Sequence, residues 1–553
     1  MAPSGFAMDR PLGELLDTRA KWFLLVTLML SMFVSALDQS IVATATPRIL
    51  ADLGGFDQLS WVFTIYLLAA TAVVPVVGKL SDMFGRKYFL IGGILLFTVA
   101  SAGAGLSTSM LELIVFRGIQ GAGGGMMTAC VFATLGDLFS PAERGKYMGM
   151  FTGTFSLAAI SGPTIGGLLT DNVGWRWCFY VNIPVAIVAI TFITMFLPVR
   201  KRGGKVSNID FLGAALLAGA TVSLLLGLEW GQKEFGWTGV ETLGLFIGSA
   251  ALVVAFAFQE KRHPQPIFPL MLFKNRQFIT ANLIVMLFGA GMFGAITYLP
   301  TFVQTALGAS ATASGLVTTP QSLGLLLTSI IGGQMISRTG KYRVLVIAGA
   351  LCITGGTFLM QTIGVGTAEW HISAFVFLVG LGFGLVMPTL SVVTQNSVSQ
   401  DLIGVATSGR QFFMQIGQVV GTAIFGVVLA TSYSNAFAAD VSPDARAAIP
   451  AETLAKFEDP TLARDVVTFA AVQASVQALP DGQRLLDTTL NAQKGAIASA
   501  IHNIFIGSSI IAVIALLLTF LMKEVPLRRF APHVARSPEP AGAGAHPPVM
   551  VET

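Results

Sequence analysis

The feature that most constrains this chain is a series of long apolar runs, separated by short loops in which the basic residues gather. About 20 apolar residues cross the hydrocarbon core of a bilayer as a helix, and a helix satisfies its own backbone hydrogen bonds there. Such runs fall near 22–45, 61–80, 89–107, 111–136, 144–170, 178–198, 210–230, 241–258, 278–305, 313–337, 343–363, 372–396, 405–431 and 500–522. They predict an all-α integral membrane protein with fourteen transmembrane helices. Composition removes the soluble alternative. Only 11% of the 553 residues are charged, against roughly 25% in soluble domains, too few to cover a water-facing surface. The first run follows 21 polar, mixed residues and is too long for a signal-peptide core, so it is expected to remain as helix 1.

Orientation follows from Lys and Arg in alternate short loops. The loops after helices 2, 4, 6, 8 and 10 hold sixteen of them, from Lys79 to Arg343. Short loops on the opposite side hold three: Arg48, Arg176 and Lys233. Both termini are therefore expected on the cytoplasmic side of the inner cell membrane, where Arg10, Arg19, Lys21, Lys523, Arg528 and Arg529 agree. This charge pattern suits a multi-pass protein in a lipid bilayer and gives no reason to invoke nucleic acid.

The stretch Gly78–Lys87, after helix 2, is echoed by Gly333–Arg343, after helix 10. Residues 1–21 then form a cytoplasmic N-terminus and 22–200 a six-helix bundle. Residues 201–277 carry two inserted helices, 278–522 a second six-helix bundle, and 523–553 a cytoplasmic tail. Parallel halves around a midplane cavity are a common transporter plan. Within the second half, the outer segment 432–499 is polar and Ala-rich, with eight acids against five basic residues. It reads equally as helices packed over the outer face and as a tolerated insertion. The Pro-, Ala- and Gly-rich tail 531–553 is expected to be disordered.

Charges inside a span are costly, and each is a functional candidate. Asp38 lies 16 residues past Trp22 in helix 1, about 24 Å along the helix at 1.5 Å per residue. Arg117 enters from the outer end of helix 4, which runs the other way, and reaches a similar depth. A buried carboxyl group takes or releases its proton according to how close a cation stands. Proton coupling and a static ion pair are both open for these two residues. In the loop after helix 2, Gly78 and Gly85 allow a tight turn, and Asp82 can accept from helix N-terminal amides or pair with Arg86 or Arg144. Such a cluster can latch helix ends, whereas an orientation signal alone needs no acid. Helix 5 carries Gly149, Gly153, Gly162-Pro163 and Gly166-Gly167, small residues that let backbones approach closely. Helix 13 repeats the theme at Gly417 and Gly421 and adds a polar stripe, Gln411, Gln415, Gln418 and Thr422, expected to face the cavity or the other half.

Other candidates rank below these. Glu229 suits a solvated rim, and His371 and His502 stand at helix edges without partners at ligand spacing. Cys130, Cys178 and Cys352 are too scattered for a disulfide framework or a metal site. No phosphate loop, zinc motif or nucleophile elbow occurs, so neither an enzyme nor a metal or cofactor is expected. The run Gly121–Gly125 lies inside a span and reads as packing.

Together these elements resemble the major facilitator superfamily, specifically its fourteen-helix drug:proton antiporter family. Gly78–Lys87 resembles the signature loop, Leu113–Gly125 the helix 4 motif and Gly162–Gly167 the helix 5 antiporter motif. Leu37–Val42 with Pro47, and Trp175–Pro184, resemble stretches typical of the fourteen-helix branch. The resemblance spans all fourteen helices. It implies two six-helix bundles plus two inserted helices, with Asp38 and Arg117 as proton-coupling residues. It further implies that Asp82, Arg86 and Arg144 form a cytoplasmic latch, and that the helix 5 glycines and Pro163 join the rocking interface. Ala43, Ala158 and Ser337 depart from the usual Asn, Gly and acid, and Ser337 puts a symmetric latch in doubt. The implied activity is proton-driven export of hydrophobic or cationic small molecules, with protons as the exchanged ion. Export of an endogenous lipid or metabolite, and a non-transporting receptor or scaffold, are the alternatives. No sequence feature indicates an accessory protein.

Overall fold

The computed structural model describes residues 16–55, 58–199, 209–460, 462 and 466–527. The tail 531–553, most of the N-terminal segment and the basic cluster 200–205 lie outside the described residues. Fourteen long helices run through the described chain: α1 Thr18–Leu53, α2 Leu59–Phe84, α3 Arg86–Leu106, α4 Met110–Leu138, α5 Pro141–Asn172, α6 Trp177–Phe196 and α7 Phe211–Lys233. The series continues with α8 Val240–Arg262, α9 Arg276–Thr305, α10 Ala311–Thr339, α11 Arg343–Met360, α12 Glu369–Asn396, α13 Ile403–Asp440 and α14 Gly482–Phe520. Twelve are long and apolar enough to cross a membrane on composition alone. The other two, α4 and α5, are equally long but diluted by Gly, Thr, Gln and Arg.

Local chemistry sets the helix ends. Asp17 accepts from Ala20 N at 2.9 Å to start α1, and Asn275 accepts from Gln277 and Phe278 amides to start α9. A capping box of Ser140 and Glu143 opens α5, satisfying two first-turn donors reciprocally. Gly85 ends α2 at φ 100° and Gly340 ends α10 at φ 70°, backbone angles that suit glycine. These are equivalent positions in the echoed loops.

Packing repeats in the same way. α4 packs on α2 and α3, α1 on α5, and α6 on α1 and α3. Correspondingly, α12 packs on α10 and α11, α9 on α13, and α14 on α9 and α11. The two sets meet where α5 lies on α10 and α2 on α13, while α7 and α8 pair with each other at the side.

Three details depart from a plain bundle of spans. First, α9 is interrupted by a π-turn at Gly289–Phe293. There a Cβ on Gly289 would press on the Met414 carbonyl, and one on Gly294 on the Gly421 backbone. Close approach to α13 thus accompanies the break. Second, α13 and α14 run well past the expected ends at 431 and 500. Third, the described part of the segment 432–499 is helical and packed. Three short helices, Pro443–Ala448, Ala451–Phe457 and Val466–Gln477, bridge the extended ends. Phe437, Val441, Ile449, Phe457, Val476 and Leu485 form a buried apolar cluster, and Tyr433 donates to the Phe457 carbonyl at 2.7 Å.

Candidate functional site

Asp38 and Arg117 meet inside the first half. Arg117 Nη1 donates to Asp38 Oδ2 at 2.5 Å. The other carboxylate oxygen, Oδ1, accepts from Gln120 Nε2 at 2.8 Å and from Asn182 Nδ2 at 2.9 Å. Both amides also donate to Ser101 Oγ, at 2.6 and 3.2 Å. Arg117 is held further by Gln120 Oε1 at 2.7 Å, by the Val62 carbonyl at 3.2 Å and by the Tyr66 ring, 4.4 Å from its centroid. Asp38, Ser101 and Gln120 expose nothing, and Arg117 and Asn182 expose 1%. Three donors face a carboxylate that can only accept, the pattern of an ionised group. Removing two charges from water costs several kcal/mol per ion, repaid only when the pair is well bonded on all sides. Helices α1, α3, α4 and α6 all contribute, so the site is assembled by the tertiary fold.

Sequence reasoning did not single out Gln120, Asn182 or Ser101. Gln120 stands three residues after Arg117, on the same helix face, and Asn182 lies in the Trp175–Pro184 stretch; those were the available signals. Ser101 offered none.

A second cluster sits at the basic end, where the loops after α2 and α4 gather. Arg86 donates to Asp82, to Ser81 Oγ at 2.6 Å and to Asp137 Oδ2 at 3.1 Å. Asp82 in turn accepts from Gly404 N at 3.2 Å and Val405 N at 2.9 Å, in the first turn of α13. The N-cap of that helix is Leu402, which gives it no side-chain cap of its own. A carboxylate from the first half therefore caps a helix of the second, where orphan amides and the helix dipole favour negative charge. Gly78 completes the contact, since a Cβ there would collide with Ser408 and the Gly404 carbonyl. The pseudo-equivalent Ser337 shares a cleft with Ala142, Gly340 and Lys341, near an α5 start that Ser140 and Glu143 already cap.

Two of the implied roles change. Arg144 does its bonding to carbonyls, donating to Phe139 O at 2.8 Å and to Gly136 O. It ties off the end of α4 rather than clasping the latch directly. The helix 5 motif divides by depth. Gly149 faces the second half, where a Cβ would strike the Ser329 carbonyl of α10, and its neighbour Gly145 faces Gly333. Gly162 and Gly166 instead pack on Ser40, Ile41 and Thr44 of α1, within their own half. A Cβ on Gly167 would meet nothing, and Pro163 is exposed. Along α13, Gln411 and Gln415 are buried and Gln418 half-buried, while Gly417 and Gly421 pack on α9. Among the described residues no group of three or more His, Cys, Asp or Glu is placed to hold a metal.

Comparison with known proteins agrees with this architecture. The family model described as Major Facilitator Superfamily matches residues 28–422. The chain is 42% identical over 418 residues to Multidrug transporter protein MdtP of Bacillus subtilis (strain 168), covering 75% of this chain and 77% of that protein. It is 36% identical over 413 residues to Multidrug resistance protein 3 of the same organism, covering 75% and 80%. Among solved structures, the proton:xylose symporter XylE bound to 6-bromo-6-deoxy-D-glucose superimposes with a TM-score of 0.54 at 13% identity, over 91% of this chain and 96% of that one, a likeness of fold alone. With a family model matched across most of its length and relatives at such identity, this chain belongs to the Major Facilitator Superfamily.

Proposed function

We propose that this protein is a proton-coupled antiporter that exports hydrophobic or cationic small molecules across the cytoplasmic membrane. The observation that carries the proposal is the occluded Asp38–Arg117 pair with its Gln120, Asn182 and Ser101 partners. A carboxylate on α1 whose partners come from α4 and α6 loses or regains them when those helices shift. Movement of α4 against α1 therefore loads or unloads a proton. The multidrug transporters to which the chain is similar support a small-molecule substrate. In this reading the basic end is cytoplasmic, and the Asp82–Arg86 latch with the α5–α10 and α2–α13 contacts closes it, leaving the outward-facing arrangement favoured. No cofactor is needed, because the proton gradient supplies the drive.

The test is ethidium uptake into proteoliposomes holding inside-out protein and an acidic lumen, with a pH dye following proton exit. Uptake that needs the gradient and dissipates it is the expected result. Ethidium movement indifferent to the gradient would remove proton coupling, and no flux of any compound would favour a receptor. A second expectation concerns closure. Gly149→Val places methyl groups against the Ser329 carbonyl, and overpacking of this kind costs about 1–3 kcal/mol. Ethidium flux should then fall roughly tenfold at unchanged folded yield. Unchanged flux would mean that α5 and α10 need not close.

A further inference from the structure

Among the described residues four arginines are almost fully buried, and three have strong partners. Arg86 has Asp82 and Asp137, Arg117 has Asp38, and Arg144 has two carbonyls. Arg410 is different. It exposes 4% and lies seven residues into α13, about 11 Å from the helix start at 1.5 Å per residue. Among the described residues its side chain makes one hydrogen bond, from Nη2 to Gln411 Oε1, and that is 3.4 Å long, beyond the usual 2.7–3.2 Å. Its Nε has no partner. Among the described residues no carboxylate pairs with it, and its guanidinium stands 5.9 Å from the Phe132 ring centroid.

The surroundings point the same way. Phe132 belongs to α4 in the first half and Arg410 to α13 in the second, so the cation sits on the seam between them. Gln395 spans the same seam, donating to the Phe132 carbonyl at 3.3 Å and to Thr407 Oγ1 at 3.1 Å. Its Oε1, like that of Gln415, is buried without a partner. Arginine stays protonated at any accessible pH, so this charge cannot be relieved by losing a proton. These open atoms all lie on the second-half side of the seam, and buried polar atoms left open there are served when the seam parts and something enters.

We infer that Arg410 is a substrate-contacting anchor for amphiphiles that carry an anionic group: carboxylate, sulfonate or phosphate. A planar fork of N–H donors matches such groups in a bidentate fashion, and Phe132 offers an apolar face beside it. The inference rests on the export reading above and extends its substrate range to anions.

The test uses a matched pair with fixed charges, pyrene-1-sulfonate and (1-pyrenylmethyl)trimethylammonium, in phosphatidylcholine proteoliposomes with an acidic lumen. Wild type is expected to take up both. Arg410→Gln should raise the apparent KM for the sulfonate about tenfold or more while leaving the cation unaffected, with Arg410→Lys between. Equal loss for both probes would assign Arg410 to packing and overturn the inference, as would wild-type uptake of the cation alone. Failure of wild type to move either probe would sink the export reading itself. Exchanging part of the lipid for phosphatidylglycerol identifies the source of the anion. Arg410-dependent inhibition of sulfonate uptake assigns a lipid phosphate, and its absence assigns a soluble amphiphile.

Discussion

Asp38→Asn is expected to reduce gradient-driven ethidium uptake to the level of protein-free vesicles. Asparagine is isosteric and can keep contacts to Gln120 and Asn182, so the helices need not rearrange. What it removes is the proton site and the counter-ion of Arg117, which is 1% exposed and 2.5 Å from Asp38. Breaking a buried pair by removing one partner costs about 3–5 kcal/mol, so the single variant should also melt earlier. A static ion pair would predict that loss of stability too. The double variant Asp38→Asn with Arg117→Gln separates the two roles. With neither charge buried, stability should largely return, because replacing both partners is far cheaper than stranding one. Uptake should stay at background, since no group is left to carry the proton. Recovery of uptake with recovery of stability would reduce Asp38 to a structural residue.

This site was partly legible in the sequence, and the reason lies in charge. An Asp and an Arg in apolar spans stand out, and a rise of 1.5 Å per residue is enough to place them at one depth. Neutral polar residues do not stand out. Thr27, Ser31, Thr98 and Thr134 all return a hydrogen bond to a carbonyl four residues earlier on their own helix, so Ser101 is indistinguishable from them until the fold brings Gln120 and Asn182 to it. Arg410 escaped for another reason. The polar stripe at Gln411, Gln415 and Gln418 drew notice, and Arg410 stands one position away, about 100° around the helix from Gln411.

The fold divides similarly. Hydropathy found the spans inside lipid, but it placed the ends of α13 and α14 where polarity rises, and a helix that continues into water is polar. The cluster around Phe437 and Phe457 depends on contacts between residues far apart in sequence. In the same way, the glycines of helix 5 could be recognised as sites of close approach. Which helix each would meet, α10 for Gly149 and α1 for Gly162, is a property of the assembled bundle.

Asp82→Asn should shift the resting conformation away from closure at the basic end and lower uptake steeply. Two backbone amides of α13 donate to this carboxylate, and Arg86 pairs with it. Hydrogen bonds to charged groups contribute about 1.5–3 kcal/mol each. Losing about 3 kcal/mol would move a two-state equilibrium by roughly 100-fold. Arg86 keeps Asp137 at 3.1 Å, so the fold should survive where the latch does not. The readout is the accessibility of a cysteine introduced at Ser408, at the α2–α13 contact, to a membrane-impermeant thiol reagent applied from the basic side. Labelling should accelerate in Asp82→Asn, and unchanged labelling with unchanged uptake would show that closure rests on packing alone. Ser337→Asp provides the internal control. It puts an acid at the pseudo-equivalent position, yet α5 already has its Ser140–Glu143 box, whereas α13 has no side-chain cap of its own. Added to Asp82→Asn, it should therefore restore neither slow labelling nor uptake. Rescue would mean that any acid across the seam suffices. Failure would tie the latch to the start of α13, where the Asp82 carboxylate stands in for a missing side-chain cap.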